Sequence, residues 1–250
     1  MQPTVGIIWP EPISTDDLGE LTQFTPPNIK VEAVAVEPAP DLSGGITLDH
    51  VLSIAADPNI EAAGRKLVAS GSHALAYACT SGSYVRGLHG DTDIAQRMRD
   101  ATDRPSTTTA TATVRALKHL QAKRVAVLSP HIDSLNARLQ RFLEAHGVEV
   151  VQMVGLNRLN GIESIPPDET LAIVQQQVDH PDADTIFISC TGLRVAPIIT
   201  TLERKLDKPV TTAVQTTMWD VLRLACAFCP LPDRGHLYTL DSAMIGRDSD

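Results

Sequence analysis

The stretch HALAYACTSGSYVRG, from His73 to Gly87, shows how this chain folds and where its chemistry lies. An apolar run rich in strand formers ends at Cys79, and the small residues Thr, Ser, Gly and Ser follow it, a pattern typical of a buried strand that leads into a helix. A second stretch, TIFISCTGL from Thr185 to Leu193, repeats the apolar run and the Cys-Thr pair. The sequence therefore carries the same strand and cysteine twice.

Two further pairs of stretches extend this repeat. TVGIIWP (Thr4 to Pro10) matches RVAVLSP (Arg124 to Pro130), and RPSTTTATATVRALKHL (Arg104 to Leu120) matches KPVTTAVQTTMWDVLRL (Lys208 to Leu224). Three matches in the same order along the chain indicate two structurally similar halves.

The alternation of element types predicts the fold class. Short β-branched runs alternate with stretches of helical spacing, which is typical of parallel sheets covered by helices on both faces. We therefore predict an α/β protein of two similar doubly wound parallel-sheet domains, related by pseudo-twofold symmetry. Because two related halves that face each other place one cysteine on each wall of a cleft, the active site is predicted between them.

Composition and charge exclude several classes of protein. The chain has 250 residues, 43% of them hydrophobic and 20% charged, which fits a globular protein. The net charge of −9 and the lack of clustered Lys and Arg argue against nucleic-acid binding. No apolar segment has the length of a membrane helix, and the N-terminal residues lack a signal-peptide pattern. We expect a cytoplasmic protein whose four cysteines form no disulfide framework.

The parallel sheets also predict where a ligand binds. Ligands of such sheets bind outside the carboxyl ends of the strands, where Pro10, Cys79, Pro130 and Cys190 all fall. Backbone N–H groups there, together with nearby Thr and Ser hydroxyls, form a pocket suited to a carboxylate. A small anionic acid held between two thiols is the substrate that this pattern favours.

The reactivity of the thiols depends on their pKa. A free cysteine titrates near ~8.5, and a helix N-terminus stabilises a nearby anion by about 0.3–1 kcal/mol, up to ~2 when the site is partly buried. A helix opening at Ser81 to Ser83 therefore predicts a Cys79 pKa shifted toward neutrality. One cysteine at the end of a buried strand is more often an apolar filler, but two at equivalent positions of a repeat favour a function.

These motifs resemble a known group of enzymes. YACTSG, ISCTGLR and KPVTTAVQTTMWDVLRLA are similar to the maleate isomerase branch of the aspartate/glutamate racemase superfamily, over about residues 4–226. CTSGSYVRG and GIIWPEP also resemble the arylmalonate decarboxylase branch, in which the first cysteine position is not a cysteine. The resemblance implies that the chain returns to its first unit, which gives a first domain of residues 1–112 plus 214–240, a second of 113–213, and a tail of 241–250.

The resemblance also implies roles for individual residues. Cys79 would be the nucleophile or first base, and Cys190 its acid/base partner on the other side of the substrate. His131 stands where the isomerases have a tyrosine, and Asn157 is preferred to Asn160 because the family places a ligand contact in this loop. The predicted substrate-binding residues are Pro10, Thr80, Ser81, His131, Asn157, Thr191 and Gly192.

Arginines near the two motifs suggest a dicarboxylate as one possible substrate. Arg86 and Arg194 each lie soon after a cysteine. Either side chain could bind a second carboxylate by a bidentate contact. An equally good interpretation is ordinary surface charge.

The predicted function is a cofactor-independent isomerase of a small carboxylic acid, by maleate-type cis–trans isomerisation or by racemisation. The alternatives are an arylmalonate-type decarboxylase and a carboxylate-binding module without chemistry. No nucleotide-binding loop or metal-ligand cluster is found, so we expect neither cofactor nor metal. Cys226 and Cys229 are interpreted as packing or surface thiols. We also expect a homo-oligomer.

Overall fold

A first parallel sheet is built from the N-terminal half of the chain. The computed structural model describes residues 2–37 and 44–240, so the predicted tail, 241–250, lies outside the described residues. The strands pair in the order β2-β1-β3-β4, and every pair is parallel. They are β1 (Thr4–Trp9), β2 (Lys30–Ala35), β3 (Ala74–Tyr77) and β4 (Ser106–Thr108).

A second parallel sheet repeats this arrangement. Its strand order, β6-β5-β7-β8, is the order of the first sheet. The prediction of two similar doubly wound α/β halves is confirmed. The strands are β5 (Arg124–Ser129), β6 (Glu149–Gly155), β7 (Thr185–Ile188) and β8 (Val210–Thr212).

Helices connect successive strands in both halves. After α8 the chain continues as a π-helical turn over Val174–Val178, and a 3₁₀ turn at Ala196–Ile198 precedes α9. The helices are α1 (Thr15–Gln23), α2 (Leu48–Ala55), α3 (Asn59–Ala69), α4 (Thr80–Tyr84), α5 (Gly90–Thr102), α6 (Thr109–His119), α7 (Asp133–Ala145), α8 (Pro167–Ile173), α9 (Ile199–Leu206) and α10 (Ala213–Leu224).

The central strands lie in the hydrophobic core. Every residue of β1, β3 and β7 is buried, and so is every residue of β5 after Arg124. Helices on both faces of a parallel sheet require apolar side chains on both sides of each central strand, which explains the continuous apolar runs in the sequence. The carboxyl ends of these buried strands are therefore fixed in position.

Helices α6 and α10 connect the two halves. Thr108 and Thr212 cap them by accepting hydrogen bonds from backbone N–H groups of the first turn. The Thr217 hydroxyl donates to Thr109 Oγ1 at 2.9 Å, and the hydroxyls of Thr113 and Thr216 lie 3.1 Å apart. The predicted domain boundaries fall in or beside these two helices and stay a prediction. In the described ranges, no helix combines the length and apolar character needed to span a membrane.

Candidate active site

One cavity of about 390 Å³ opens where the carboxyl ends of both sheets approach each other. The first half contributes the segment after β1, part of α2 and the start of α4. The second half contributes the segments after β5, β6 and β7. The lining residues include Trp9, Pro10, Glu11, Ile46, Ile54, Cys79, Thr80, Ser81, His131, Asn160, Ile162, Cys190, Thr191, Gly192 and Arg194. Polar groups from both halves thus face one apolar-walled space, as in many ligand sites.

Cys79 is the N-cap residue of α4. Its backbone is extended, and its Sγ accepts a hydrogen bond from Gly82 N at 3.3 Å. The side chain is only 7% exposed. The predicted sequence of strand, cysteine and helix is therefore present in the first half.

Cys190 has a different local structure. Its φ is +90°, a left-handed conformation that residues with a Cβ rarely adopt. Its Sγ accepts a hydrogen bond from Gly192 N at 3.3 Å, and α9 begins only at Ile199, after the 3₁₀ turn. Cys190 therefore does not cap a helix as Cys79 does, because the chain turns there and packs its next residues against the first half.

Burial controls the protonation of both thiols. Burial, with a smaller contribution from the Glu11 carboxylate, raises the pKa of Cys79 to about 11 and that of Cys190 to about 12. The N–H groups of Gly82 and Gly192 act in the opposite direction but are outweighed. The prediction of a Cys79 pKa shifted toward neutrality is therefore wrong. Removing a thiolate from water costs more free energy than one N–H hydrogen bond and the N-terminus of a short helix can restore. Both thiols carry a proton in the free protein at neutral pH.

Two buried donors face the cavity without a partner among the described residues. His131 is 2% exposed, and neither ring nitrogen has a hydrogen bond in the described part of the chain. Burial lowers the pKa of His131 to about 4, so the ring is neutral and keeps one N–H donor. The Thr80 hydroxyl is likewise buried and unpartnered. Leaving such groups unpaired costs about 1–3 kcal/mol each, so they are suited to a ligand.

Most sequence-predicted binding residues line this cavity. Pro10, Thr80, Ser81, Thr191 and Gly192 do so, as do His131 and both cysteines. The roles assigned to them stay predictions.

Asn157 and Arg86 do not line the cavity. Asn157 is exposed, and its Oδ1 accepts a hydrogen bond from Asp133 N at 3.1 Å, which turns the side chain to the start of α7. Of the two asparagines considered in this loop, Asn160 lines the cavity and Asn157 does not, and the predicted role of Asn157 in substrate binding stays a prediction. Arg86 is exposed and lies outside the cavity lining.

Helix α1 holds the Cys190 loop in place, a role that the sequence analysis missed. Arg194 Nη2 donates to Asp17 Oδ1 at 2.6 Å. Glu20 Oε1 accepts from the backbone N–H groups of Val195 and Ala196 at 2.9 and 2.8 Å. These contacts join residues about 175 positions apart in the chain. The one signal in the sequence was the acidic first turn of α1.

A further bond joins the two cysteine segments directly. The Thr191 hydroxyl donates to Ala78 O at 3.3 Å, so the residue after one cysteine contacts the residue before the other. Glu11, which lies in the GIIWPEP stretch but received no role from the sequence, also lines the cavity. Among the described residues, no group of three or more His, Cys, Asp or Glu side chains is arranged to hold a metal ion.

Two doubly wound sheets that present one cysteine each to a shared cleft define a class of α/β enzymes, and comparisons with known proteins identify the family. The chain matches the family described as arylmalonate decarboxylase over residues 46–237. It is 32% identical to the arylmalonate decarboxylase of Bordetella bronchiseptica over 193 residues, which cover 74% of this chain and 80% of that protein. This chain belongs to the arylmalonate decarboxylase family.

Maleate isomerases are also similar to this chain. The enzyme of Nocardia farcinica is 29% identical over 136 residues, which cover 53% of this chain and 54% of that protein. The structure of the maleate isomerase from Pseudomonas putida S16 superposes with a TM-score of 0.85 at 21% identity, covering 95% of this chain and 98% of that one, which shows the shared fold. The predicted resemblance to this superfamily is confirmed, and the relatives are enzymes.

Proposed function

We propose that this protein is a cofactor-independent isomerase of a small carboxylic acid, with Cys79 and Cys190 acting on two sides of one bound substrate. The observation that supports it most strongly is the pair of thiols, one from each half, lining one cavity. A binding module without chemistry would need neither thiol. The predicted homo-oligomer and cytoplasmic location stay predictions.

The substrate carboxylate would bind at the donors that lack protein partners. The Thr80 hydroxyl and one His131 ring N–H are buried and free to donate. Ser81 lines the same cavity. Neutral donors in a water-excluded site stabilise a carboxylate, and they stabilise it more when a reaction places a second negative charge on its oxygens. The same donors would therefore stabilise an enediolate.

The two thiols would then exchange protons with one carbon. In racemisation, the Cys79 thiolate removes the α-proton, and its S–H bond forms as the C–H bond breaks. The electron pair of that bond moves onto the carboxylate as an enediolate, and the Cys190 S–H group delivers a proton to the opposite face.

In cis–trans isomerisation, Cys79 adds to one alkene carbon and Cys190 protonates the other. After rotation about the new single bond, Cys190 takes the proton back and Cys79 leaves.

Both forms of isomerisation need the Cys79 thiolate, which is scarce at neutral pH. With a pKa of about 11, the thiolate fraction of Cys79 rises nearly tenfold for each pH unit below that value. We therefore expect kcat/KM to rise with pH from 7 to 10. A rate that is flat or falls over this range would show that a protonated thiol acts first.

Decarboxylation of an arylmalonate is the second candidate, and two observations favour it. The family match and the 32% identical relative are both arylmalonate decarboxylases. Both thiols are also protonated in the free protein, as required of a group that donates a proton to an enediolate after CO₂ leaves. That reaction needs only one protonating thiol.

A substrate panel and single cysteine variants separate the candidates. Maleate, aspartate, a hydantoin and an arylmalonate would be incubated with the protein in deuterated water and followed by NMR. An isomerase converts one of the first three, and Cys79→Ser and Cys190→Ser each abolish most of the turnover, because serine is a far poorer nucleophile and base at neutral pH. Cys226→Ser, at an exposed thiol, is the matched control and keeps full activity.

The contrary outcomes are equally specific. Release of CO₂ from the arylmalonate, with activity lost in Cys190→Ser and largely kept in Cys79→Ser, would establish the decarboxylase and contradict the isomerase. Turnover unchanged in both single variants would remove the thiols from the mechanism.

A further inference from the structure

Glu11 brings an uncompensated carboxylate into the cavity. It lies two residues after the end of β1 and lines the same space as both thiols. Its side chain has no hydrogen bond or ion pair within the described part of the chain. Burial, followed by repulsion from Asp17 and Glu163, raises the pKa of Glu11. The Glu11 carboxylate therefore has no hydrogen-bond donor among the described residues.

The charged side chains around Glu11 do not provide that donor. Asp17 and Glu163 also line the cavity, so the surrounding charge is mainly negative. Arg194 is the one arginine or lysine among the described lining residues. Its guanidinium is already engaged, with Nη2 on Asp17 at 2.6 Å and Nη1 on Gly192 O at 2.9 Å. A second substrate carboxylate beside Glu11 would meet like charge, and the Arg194 guanidinium is not free to bind it.

The cavity therefore has two chemically different regions. His131 and Thr80 supply buried donors without partners, which suit a carboxylate. Glu11 supplies an acceptor without a partner. Glu11 lines the same cavity as Cys79 and Cys190, so its carboxylate faces the space that holds the substrate between the thiols. A ligand that satisfies both regions carries a carboxylate and, close to it, a donor.

We propose that Glu11 is a specificity-determining residue that accepts a hydrogen bond from the substrate, so that the site prefers a monocarboxylate bearing an ammonium or amide N–H group over a dicarboxylate. This inference rests on the proposed function, because it assigns the substrate class of the same cavity. Glu11 takes no proton in the reaction. It selects the substrate by charge, since like charges brought together at a buried site are strongly disfavoured.

Three ligands of nearly equal shape test the proposal. Phenylglycine, phenylmalonate and 2-phenylpropionate place an ammonium, a carboxylate or a methyl group on the same carbon. Their affinities would be measured by calorimetry at pH 8, in a protein whose Cys79 and Cys190 are both replaced by serine so that no turnover occurs. We expect phenylglycine to bind at least about tenfold more tightly than phenylmalonate, with 2-phenylpropionate between them.

The variant Glu11→Gln should remove this preference. The amide is uncharged and nearly the same size, so the ratio of the two affinities should fall by at least about tenfold. Glu149→Gln, which neutralises an exposed acid outside the cavity lining, is the matched control and should leave the ratio unchanged.

Three results would overturn the proposal. They are tighter binding of phenylmalonate before any change at Glu11, an unchanged affinity ratio in Glu11→Gln, and failure of phenylglycine to bind at millimolar concentration. The first and third need only the parent protein, so they apply even if Glu11→Gln does not fold. Because binding is measured without turnover, failure of the isomerase proposal would be seen separately in the turnover of the single cysteine variants.

Discussion

At the scale of single residues, the backbone at Cys190 shows how the site is constrained. A φ of +90° at a residue with a Cβ costs about 1–3 kcal/mol and persists only where the surrounding structure imposes it. Here the surroundings are the Thr191 bond to Ala78 O and the Arg194 bond to Asp17. The strain therefore accompanies a loop that is held against the other half of the molecule.

The buried neutral ring of His131 makes a prediction about stability and pH. The unfolded imidazole takes up a proton near pH 6.5, whereas the folded one does so only near pH 4. Stability is therefore complete above pH 6.5 and falls as the pH is lowered toward 4, because the unfolded state binds the additional proton. Relative to His131→Gln, the wild type should lose about 2–3 kcal/mol of unfolding free energy between pH 7 and pH 4.5.

Urea unfolding at the two pH values measures this difference. His236→Gln, at an exposed histidine, is the control and should follow the wild type at both. If His131→Gln also follows the wild type, the His131 ring is not buried in the neutral form.

Gly82 makes a second prediction at this scale. A Cβ built there would lie 3.0 Å from Cys79 Sγ and 3.1 Å from Tyr77 Oη, closer than ordinary packing allows. Gly82→Ala should push the thiol away and lower the unfolding free energy by about 1–2 kcal/mol. Gly19 of α1 has no atom within 4 Å of such a Cβ, so Gly19→Ala should instead add about 0.5–1 kcal/mol.

Thermal and urea unfolding of the two glycine variants provide the measurement. Equal effects of the same substitution at both positions would mean that the close approach of Gly82 to the thiol does not affect the unfolding free energy.

At the scale of elements, α1 is the helix that completes the site, although it carries neither thiol. Asp17 and Glu20 lie one turn apart on its buried side and bind Arg194, Val195 and Ala196. The second cysteine segment has no helix of its own to order it, so acceptors from the other half perform that role. The two cysteine segments therefore differ in what orders them: α4 begins at the Cys79 segment, whereas acceptors of α1 hold the Cys190 segment.

Loss of the Arg194 guanidinium should therefore affect the site more than the fold. Arg194→Met leaves Asp17 without its cation inside the cavity, where only about a tenth of its side chain is exposed. We expect the unfolding free energy to fall by about 1–3 kcal/mol and KM to rise severalfold as the Cys190 loop loses its anchor. Lys66→Met removes an exposed ion pair with Glu37 and should change stability by less than about 1 kcal/mol.

Steady-state kinetics and urea unfolding of the two variants test this account. An unchanged KM in Arg194→Met would show that α1 does not position the loop.

At the scale of the whole molecule, the internal repeat explains how much the sequence could predict. Matching apolar runs recur because each half must bury the same central strands, so the two sheets and their strand order follow from local patterns. The positions of Cys79 and Cys190 at one cavity follow from that symmetry. Seven of the eight strands in the described residues contain apolar residues, whereas β4 reads Ser-Thr-Thr and has no apolar residue to mark it.

The remaining features depend on contacts that a linear sequence does not reveal. Whether a thiol is buried deeply enough to outweigh a helix N-terminus depends on packing from both halves. The partner of Arg194 lies 177 residues away, and the side chain of Asn157 turns outward because of one backbone N–H group in α7. The importance of Glu11 depends on the engagement of the Arg194 guanidinium by Asp17 and by Gly192 O, contacts that no sequence pattern reveals.

The most direct test of the central claim, that Cys79 and Cys190 flank one small acid, is the stoichiometry of alkylation by bromoacetate. In a protein with Cys226 and Cys229 replaced by serine, peptide mass spectrometry at pH 9 would count the carboxymethyl groups per chain. If the thiols share one site, the carboxylate of the first adduct occupies it and protects the other thiol, so each chain should carry one group, on either cysteine but not both. Chains that carry two groups, added independently at Cys79 and Cys190, would contradict the account.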